Sequence, residues 1–203
     1  MWQWFSNASV QASLVGSFAG LISGVVILLV GALFNFRLNR RRDALVRAEE
    51  ADAVAAALFG EIILIRKELA RTANLVARKS MHGDGEFDSH FLELMRLQDP
   101  LLYKALASKL GLLDPKLILA ITDFHTNVEM TRSSLPLIVE NKDRGYSYSP
   151  LAVLTPATAA IQDIKPTIDA LAAKMRVPLP EDLDISNALF LVDSEREIFT
   201  EPN

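Results

Sequence analysis

The sequence predicts an all-α protein: a single N-terminal transmembrane helix that continues into a long juxtamembrane helix, followed by a small cytoplasmic helical bundle. Three observations predict this class. An uncharged apolar run occupies residues 13–36. Residues 43–79 contain no proline and one glycine, and they are rich in alanine, leucine, glutamate and arginine, which favour helices. No later segment alternates apolar and polar residues with β-branched enrichment, so we expect no sheet.

Composition limits the protein to a few classes. The chain has 203 residues, enough for one modest domain and an anchor, and a formal net charge of −4. This mildly acidic balance argues against nucleic acid as a partner. The chain has no cysteine, which excludes disulfides, thiolate metal sites and cysteine nucleophiles.

The apolar run of residues 13–36 has the length of a membrane span. A helix of these 24 residues is about 36 Å long, enough to cross a hydrocarbon core of about 30 Å with some tilt. Trp2, Trp4 and Phe5 precede the run, and aromatic rings of this kind favour the headgroup level. A cleaved signal peptide is the alternative, but it would need a basic stretch before a shorter apolar core.

Basic residues mark the other end of the run. Arg37, Arg40, Arg41 and Arg42 follow it, and no lysine or arginine comes earlier. The positive-inside rule therefore places residues 1–12 outside a bacterial inner membrane and the remainder in the cytoplasm. The same arginines fix the topology and can bind anionic lipid headgroups.

The predicted span has a face of small residues. Gly16, Gly20 and Gly24 recur at every fourth position, which forms two overlapping G-x-x-x-G motifs. Glycine at this spacing lets two helix backbones approach closely in lipid. We therefore expect a homo-oligomer or a partner membrane helix, although small residues are also common in membrane helices that do not associate.

The segment at 37–79 combines the basic stretch with a long helix, and a heptad pattern runs along that helix. Its second half is wide enough to pack into a bundle at residues 58–76, while a coiled-coil stalk is the alternative. Glu61 interrupts the apolar stretch, and we expect it to pair with a basic neighbour at the groove edge. The heptad positions are Ala44, Ala48, Ala51, Ala55, Leu58, Ile62, Ile65, Leu69, Thr72 and Val76.

Prolines punctuate the predicted bundle at residues 80–176. The pairs Asp99-Pro100 and Asp114-Pro115 each predict a helix start, with aspartate as N-cap and proline at the first helical position. Pro166 should bend or split the last long helix. Residues 177–203 read as an acidic, extended C-terminal tail, although its one apolar patch, residues 188–192, could dock as a short helix or strand.

Four aliphatic stretches carry a family resemblance. They are LFGEI at residues 58–62, PLLY at 100–103, LGLL at 110–113 and ITDFH at 121–125. Over residues 10–130 the chain resembles uncharacterised bacterial membrane proteins that have one N-terminal span and a cytoplasmic helical domain. The resemblance implies the architecture and a bacterial source, and it implies no activity.

The sequence offers no constellation of catalytic or metal-binding residues. No two of the three histidines, His82, His90 and His125, have the spacing that puts two ligands on one helix face. His125 lies beside Phe124 and should be a half-buried structural residue. We therefore expect no enzyme, no cofactor and no metal site.

The functional prediction is a membrane-anchored cytoplasmic interaction or scaffold protein. Its predicted partners are the lipid bilayer, a second copy or another membrane helix, and an unknown cytoplasmic protein. Tyr146 and Tyr148 mark a polar loop that could contact that protein. The alternative is a small accessory subunit of a membrane transport or channel assembly.

Overall fold

The computed structural model describes residues 8–82, 87–139 and 148–200, with side chains described within 23–195 except at Val25. All regular structure in these ranges is helical, with no strand, which confirms the all-α prediction. The chain divides into two units, residues 1–49 and residues 50–203.

Seven α-helices and one short 3₁₀ helix make up the described chain. The 3₁₀ helix, Ala107–Leu112, follows the third α-helix directly. The α-helices are α1 (Ala8–His82), α2 (Ser89–Leu94), α3 (Leu101–Leu106), α4 (Pro115–Ile138), α5 (Leu151–Asp163), α6 (Lys165–Met175) and α7 (Ser186–Thr200).

The apolar stripe on the second half of α1 lies in the core of the 50–203 unit. Within this unit, every heptad position from Ala55 to Val76 is buried. These side chains belong to one hydrophobic cluster with residues of α4, α5, α6 and α7. The bundle interpretation of residues 58–76 is therefore confirmed, because the stripe packs against the chain's own helices. The largest fully buried side chains are Phe124, Leu58, Ile62, Leu69, Ile121, Leu154, Ile161, Ile164 and Ile168.

A buried arginine on α1 ties this helix to α5. The Nε of Arg66 donates a hydrogen bond of 3.0 Å to the carbonyl oxygen of Ile161. Burial lowers the pKa of Arg66, and the negative charges of Asp182 and Asp169 oppose that shift. The bond therefore links the last turn of α5 to α1.

Two predictions about helix boundaries are confirmed. Asp114 is the N-cap of α4, and its side chain accepts a hydrogen bond of 2.9 Å from the amide of Lys116. The predicted split at Pro166 is also present, because α5 ends at Asp163 and α6 begins at Lys165 with the proline in its first turn.

The prediction that Asp99 caps a helix is wrong. Pro100 occupies the N-cap position of α3, with no capping hydrogen bond from its own side chain. The carboxylate of Glu61 supplies the cap instead, accepting from the amides of Leu102 at 2.6 Å and Tyr103 at 2.8 Å. Glu61 therefore pairs with backbone amides and not with a basic side chain as expected.

The extended description of residues 177–203 is wrong for the segment that forms α7. Val177 to Asp184 are not helical, but α7 begins at Ser186 and continues to Thr200. Ile185, Ala188 and Val192 are buried, and their spacing of three and four places them on one helix face. This face belongs to the core cluster, so the prediction that the apolar patch at residues 188–192 could dock as a short helix is confirmed, and α7 is longer than that patch.

We predict that Glu61→Gln destabilises the domain by roughly 1–3 kcal/mol, because a side-chain amide presents only one acceptor oxygen to the two backbone amides that now bond one carboxylate. Hydrogen exchange at the backbone amides of Leu102 and Tyr103 should accelerate. Denaturant unfolding would measure the loss of stability.

Glu68→Gln is the matched control. Glu68 accepts one hydrogen bond, from the amide of Gln98 at 2.9 Å, and a glutamine oxygen can still accept it. Equal effects of the two substitutions would contradict the capping role of Glu61.

Candidate functional site: an apolar helix segment and a cleft beside a buried histidine

The predicted glycine face lies only partly among the described side chains. Gly16 and Gly20 precede them, while Gly24 is included. A β-carbon built on Gly24 would meet no atom within 4 Å. The surface at Gly24 is therefore open within a single chain.

The apolar segment around Gly24 is exposed on every side. Large apolar side chains between Val26 and Leu38 are each 49–74% exposed. Arg37, Arg40, Arg41 and Arg42 follow on exposed positions, and the guanidinium of Arg40 lies 5.2 Å from the ring centroid of Phe36. In the described part of the chain, no helix is both long enough and apolar enough to span a membrane.

The predicted partner loop is largely outside the described residues. Tyr146 lies in the range 140–147, which is not described. Tyr148 is described and is 39% exposed. The interaction role of this loop stays a prediction.

A second candidate region forms where α3 lies against α4. Helix α3 has only six residues and buries none of its side chains fully, although Tyr103 and Leu106 pack partly against the core. Two specific contacts add to this packing: the cap from Glu61 and a ring stack between Tyr103 and His125. The two ring centroids are 3.9 Å apart with an interplanar angle of 20°.

His125 is more deeply buried than the sequence indicated. It is 6% exposed, and neither ring nitrogen has a hydrogen-bond partner. Burial and, to a smaller extent, the positive charge of Arg132 lower its pKa from 6.5 to about 4. At neutral pH the ring is therefore uncharged, with one nitrogen a donor and the other an acceptor.

Charged side chains surround a cleft of about 500 Å³ beside this ring. Arg132 bonds the carboxylate of Glu129 at 2.6 Å and the carbonyl oxygen of Gln98 at 2.5 Å. It also lies 3.4 Å from Oδ1 of Asp99, and Lys104 lies 3.8 Å from the same oxygen. Thr122 and Thr126 complete the wall.

Sequence reasoning did not find this site, although three of its parts lie in stretches that carry the family resemblance. Glu61, Tyr103 and His125 come from the 58–62, 100–103 and 121–125 stretches. They meet only because α3 crosses between α1 and α4. No spacing rule connects positions so far apart in the chain.

The described residues contain no group of three histidine or acidic side chains that could hold a metal ion. The arrangement at His125 also lacks a nucleophile bonded to a base, since both imidazole nitrogens are unpaired. Chemically, the ring is a buried, uncharged imidazole whose two nitrogens have unused hydrogen-bonding capacity.

Comparison with known proteins adds no assignment. No protein family, no curated protein and no solved structure matches the chain. The resemblance to bacterial membrane proteins stays a prediction.

We predict that the free energy of unfolding falls by up to roughly 3 kcal/mol as the pH drops from 6.5 to about 4. In this window the unfolded chain binds a proton at His125 that the folded chain does not, so acid favours unfolding. Denaturant titrations at several pH values would measure the slope.

His125→Phe should remove this part of the pH dependence, because phenylalanine retains the stack on Tyr103 and cannot titrate. His90→Gln is the control, since His90 is exposed and should leave the slope unchanged. A slope that persists in His125→Phe would contradict the assignment.

Proposed function

We propose that this protein is a membrane-tethered helical interaction module. Residues 13–36 lie in a bacterial inner membrane and associate with a second copy through the glycine face. Residues 50–203 form a cytoplasmic domain that binds a protein partner. The exposed apolar surface of α1 after Gly24 is the observation that carries this proposal.

That surface surrounds the helix. Successive residues of an α-helix are turned by about 100°, so a run of five covers all directions. A helix that is apolar all round needs an apolar environment on every side, and lipid supplies one. The exposed apolar residues are Val26, Ile27, Leu28, Leu29, Val30, Leu33, Phe34, Phe36 and Leu38.

The distribution of basic residues along the chain supports one orientation of the helix in the membrane. Positive charge begins at Arg37, at the end of the apolar run, and none precedes it. The contact between Arg40 and the ring of Phe36 suits a boundary between lipid and water, where long basic side chains extend toward the headgroups. This pattern supports a cytoplasmic location for residues 50–203.

Self-association rests on the open surface at Gly24. Helices in lipid associate by close packing, and small residues permit that approach. Because a side chain at Gly24 would meet no atom of its own chain within 4 Å, substitution there leaves the protomer intact. Any effect on assembly would therefore report on contact between helices.

A small accessory subunit of a transport or channel assembly is the second candidate, because the same glycine face could pack against a larger membrane protein. Purification in mild detergent separates the two. Recovery of the protein with itself alone supports the interaction module, and stoichiometric polytopic partners support the accessory subunit.

We predict that Gly24→Ile lowers self-association in a membrane two-hybrid or crosslinking assay, because the branched side chain keeps the two backbones apart. Leu33→Phe is the control: Leu33 is exposed and lies about 180° from Gly24 around the helix, so association should persist. An unchanged signal in Gly24→Ile would contradict the glycine interface.

A further inference from the structure

We propose that the cleft beside His125 binds a small organic carboxylate, and that the imidazole takes up a proton as the anion binds. This proposal is independent of the membrane anchor, since all the residues involved lie in the 50–203 unit. Three observations carry it.

The first observation is the unpaired ring. A buried polar group without a hydrogen bond is costly, at roughly 1–3 kcal/mol, and native proteins rarely leave one without a role. His125 is 6% exposed, both of its nitrogens lack a partner, and the ring forms part of the wall of the cleft. Both nitrogens lie beneath the surface of the cleft, so a bound molecule satisfies one of them when the ring turns toward it on binding.

The second observation is the loose pairing of two cations. Lys104 and Arg132 both approach Oδ1 of Asp99, at 3.8 Å and 3.4 Å, which are long for charge-assisted hydrogen bonds. By contrast, Arg132 lies 2.6 Å from Glu129. Lys104 and Asp99 are therefore held weakly, and a carboxylate from solution can take the place of Asp99 between the two cations.

The third observation is the charge balance of the cleft. Among the side chains that line the cleft, two positive and two negative charges cancel, so a bound monoanion leaves one excess negative charge there. A proton on His125 restores neutrality, and the imidazolium donates from both nitrogens. The titratable and charged groups around the ring are Glu61 on α1, Asp99 before α3, Tyr103 and Lys104 on α3, and Glu129 and Arg132 on α4.

The chemical class of the ligand follows from these groups. A cation would have to compete with Lys104 and Arg132 for the carboxylates of Asp99 and Glu129, with which they already pair. A phosphate dianion would exceed the single proton that His125 can accept. A planar carboxylate matches the guanidinium of Arg132 and the donors of Lys104 and His125. The cleft of about 500 Å³ has the size of a small-molecule site.

The proton coupling is a consequence of the buried ring. The pKa of free His125 is about 4, because burial disfavours the charged form. An adjacent carboxylate favours that form and raises the pKa. Between the two pKa values each bound anion takes up one proton, so affinity increases as the pH falls, by up to about tenfold per pH unit.

The test uses the full chain in detergent micelles with isotope-labelled histidine, and benzoate as the probe. Benzamide is the matched neutral control. We expect benzoate to shift the ring resonances of His125, to move its titration to higher pH, and to bind up to about tenfold more tightly at pH 5.5 than at pH 6.5. Exposed His82 and His90 should be unaffected.

Two variants sharpen the result. Lys104→Met should weaken benzoate binding without unfolding the domain, because Lys104 is exposed. His125→Phe should remove the pH dependence of any binding that remains, detected at the side chains of Thr122 and Thr126. Three results would each overturn the proposal: equal responses to benzoate and benzamide, binding of benzoate without pH dependence, or His125 ring resonances that benzoate does not shift. The last result would indicate that the ring bonds only to water.

Discussion

The packing of the 50–203 unit depends on how α1 buries a carboxylate within its own apolar stripe. Glu61 lies between Leu58 and Ile62, both of which are in the core, and is itself only 8% exposed. A carboxylate in such a place is stable only if its oxygens accept strong hydrogen bonds. The first turn of α3 supplies two, which explains how a six-residue helix without buried side chains is held. This interaction places Tyr103 over His125 and so determines the wall of the cleft.

The same helix meets a different constraint before residue 40. There the apolar side chains point in all directions, whereas after residue 54 they form one stripe and alternate with polar residues. A one-sided stripe is satisfied by the bundle, but an all-round apolar surface requires a surrounding medium. One continuous element, α1, therefore carries two hydrophobic patterns, and the basic residues from Arg37 to Arg42 lie where the first pattern gives way to the second.

Sequence reasoning succeeded where the signal is local. The cap at Asp114, the break at Pro166 and the stripe of residues 58–76 follow from residues within a few positions of each other. Sequence reasoning failed where a helix is stabilised by residues that are distant in the chain. The cap of α3 comes from about forty residues upstream, and α7 folds because its apolar face meets the core. The unpaired state of His125 could not be predicted, because it depends on which polar groups of the neighbouring helices come within hydrogen-bonding distance of the ring.

A single-cysteine scan tests the membrane proposal most directly, and the chain contains no native cysteine to interfere. Cysteines placed one at a time at positions 26–34, and at the exposed positions 44–48 as controls, would be treated with a membrane-impermeant maleimide on both sides of open membranes. Lipid burial predicts protection at every position of 26–34, whichever face it occupies, and labelling at 44–48. Labelling that recurs every three to four residues would show that one face is in water, and it would contradict the proposal.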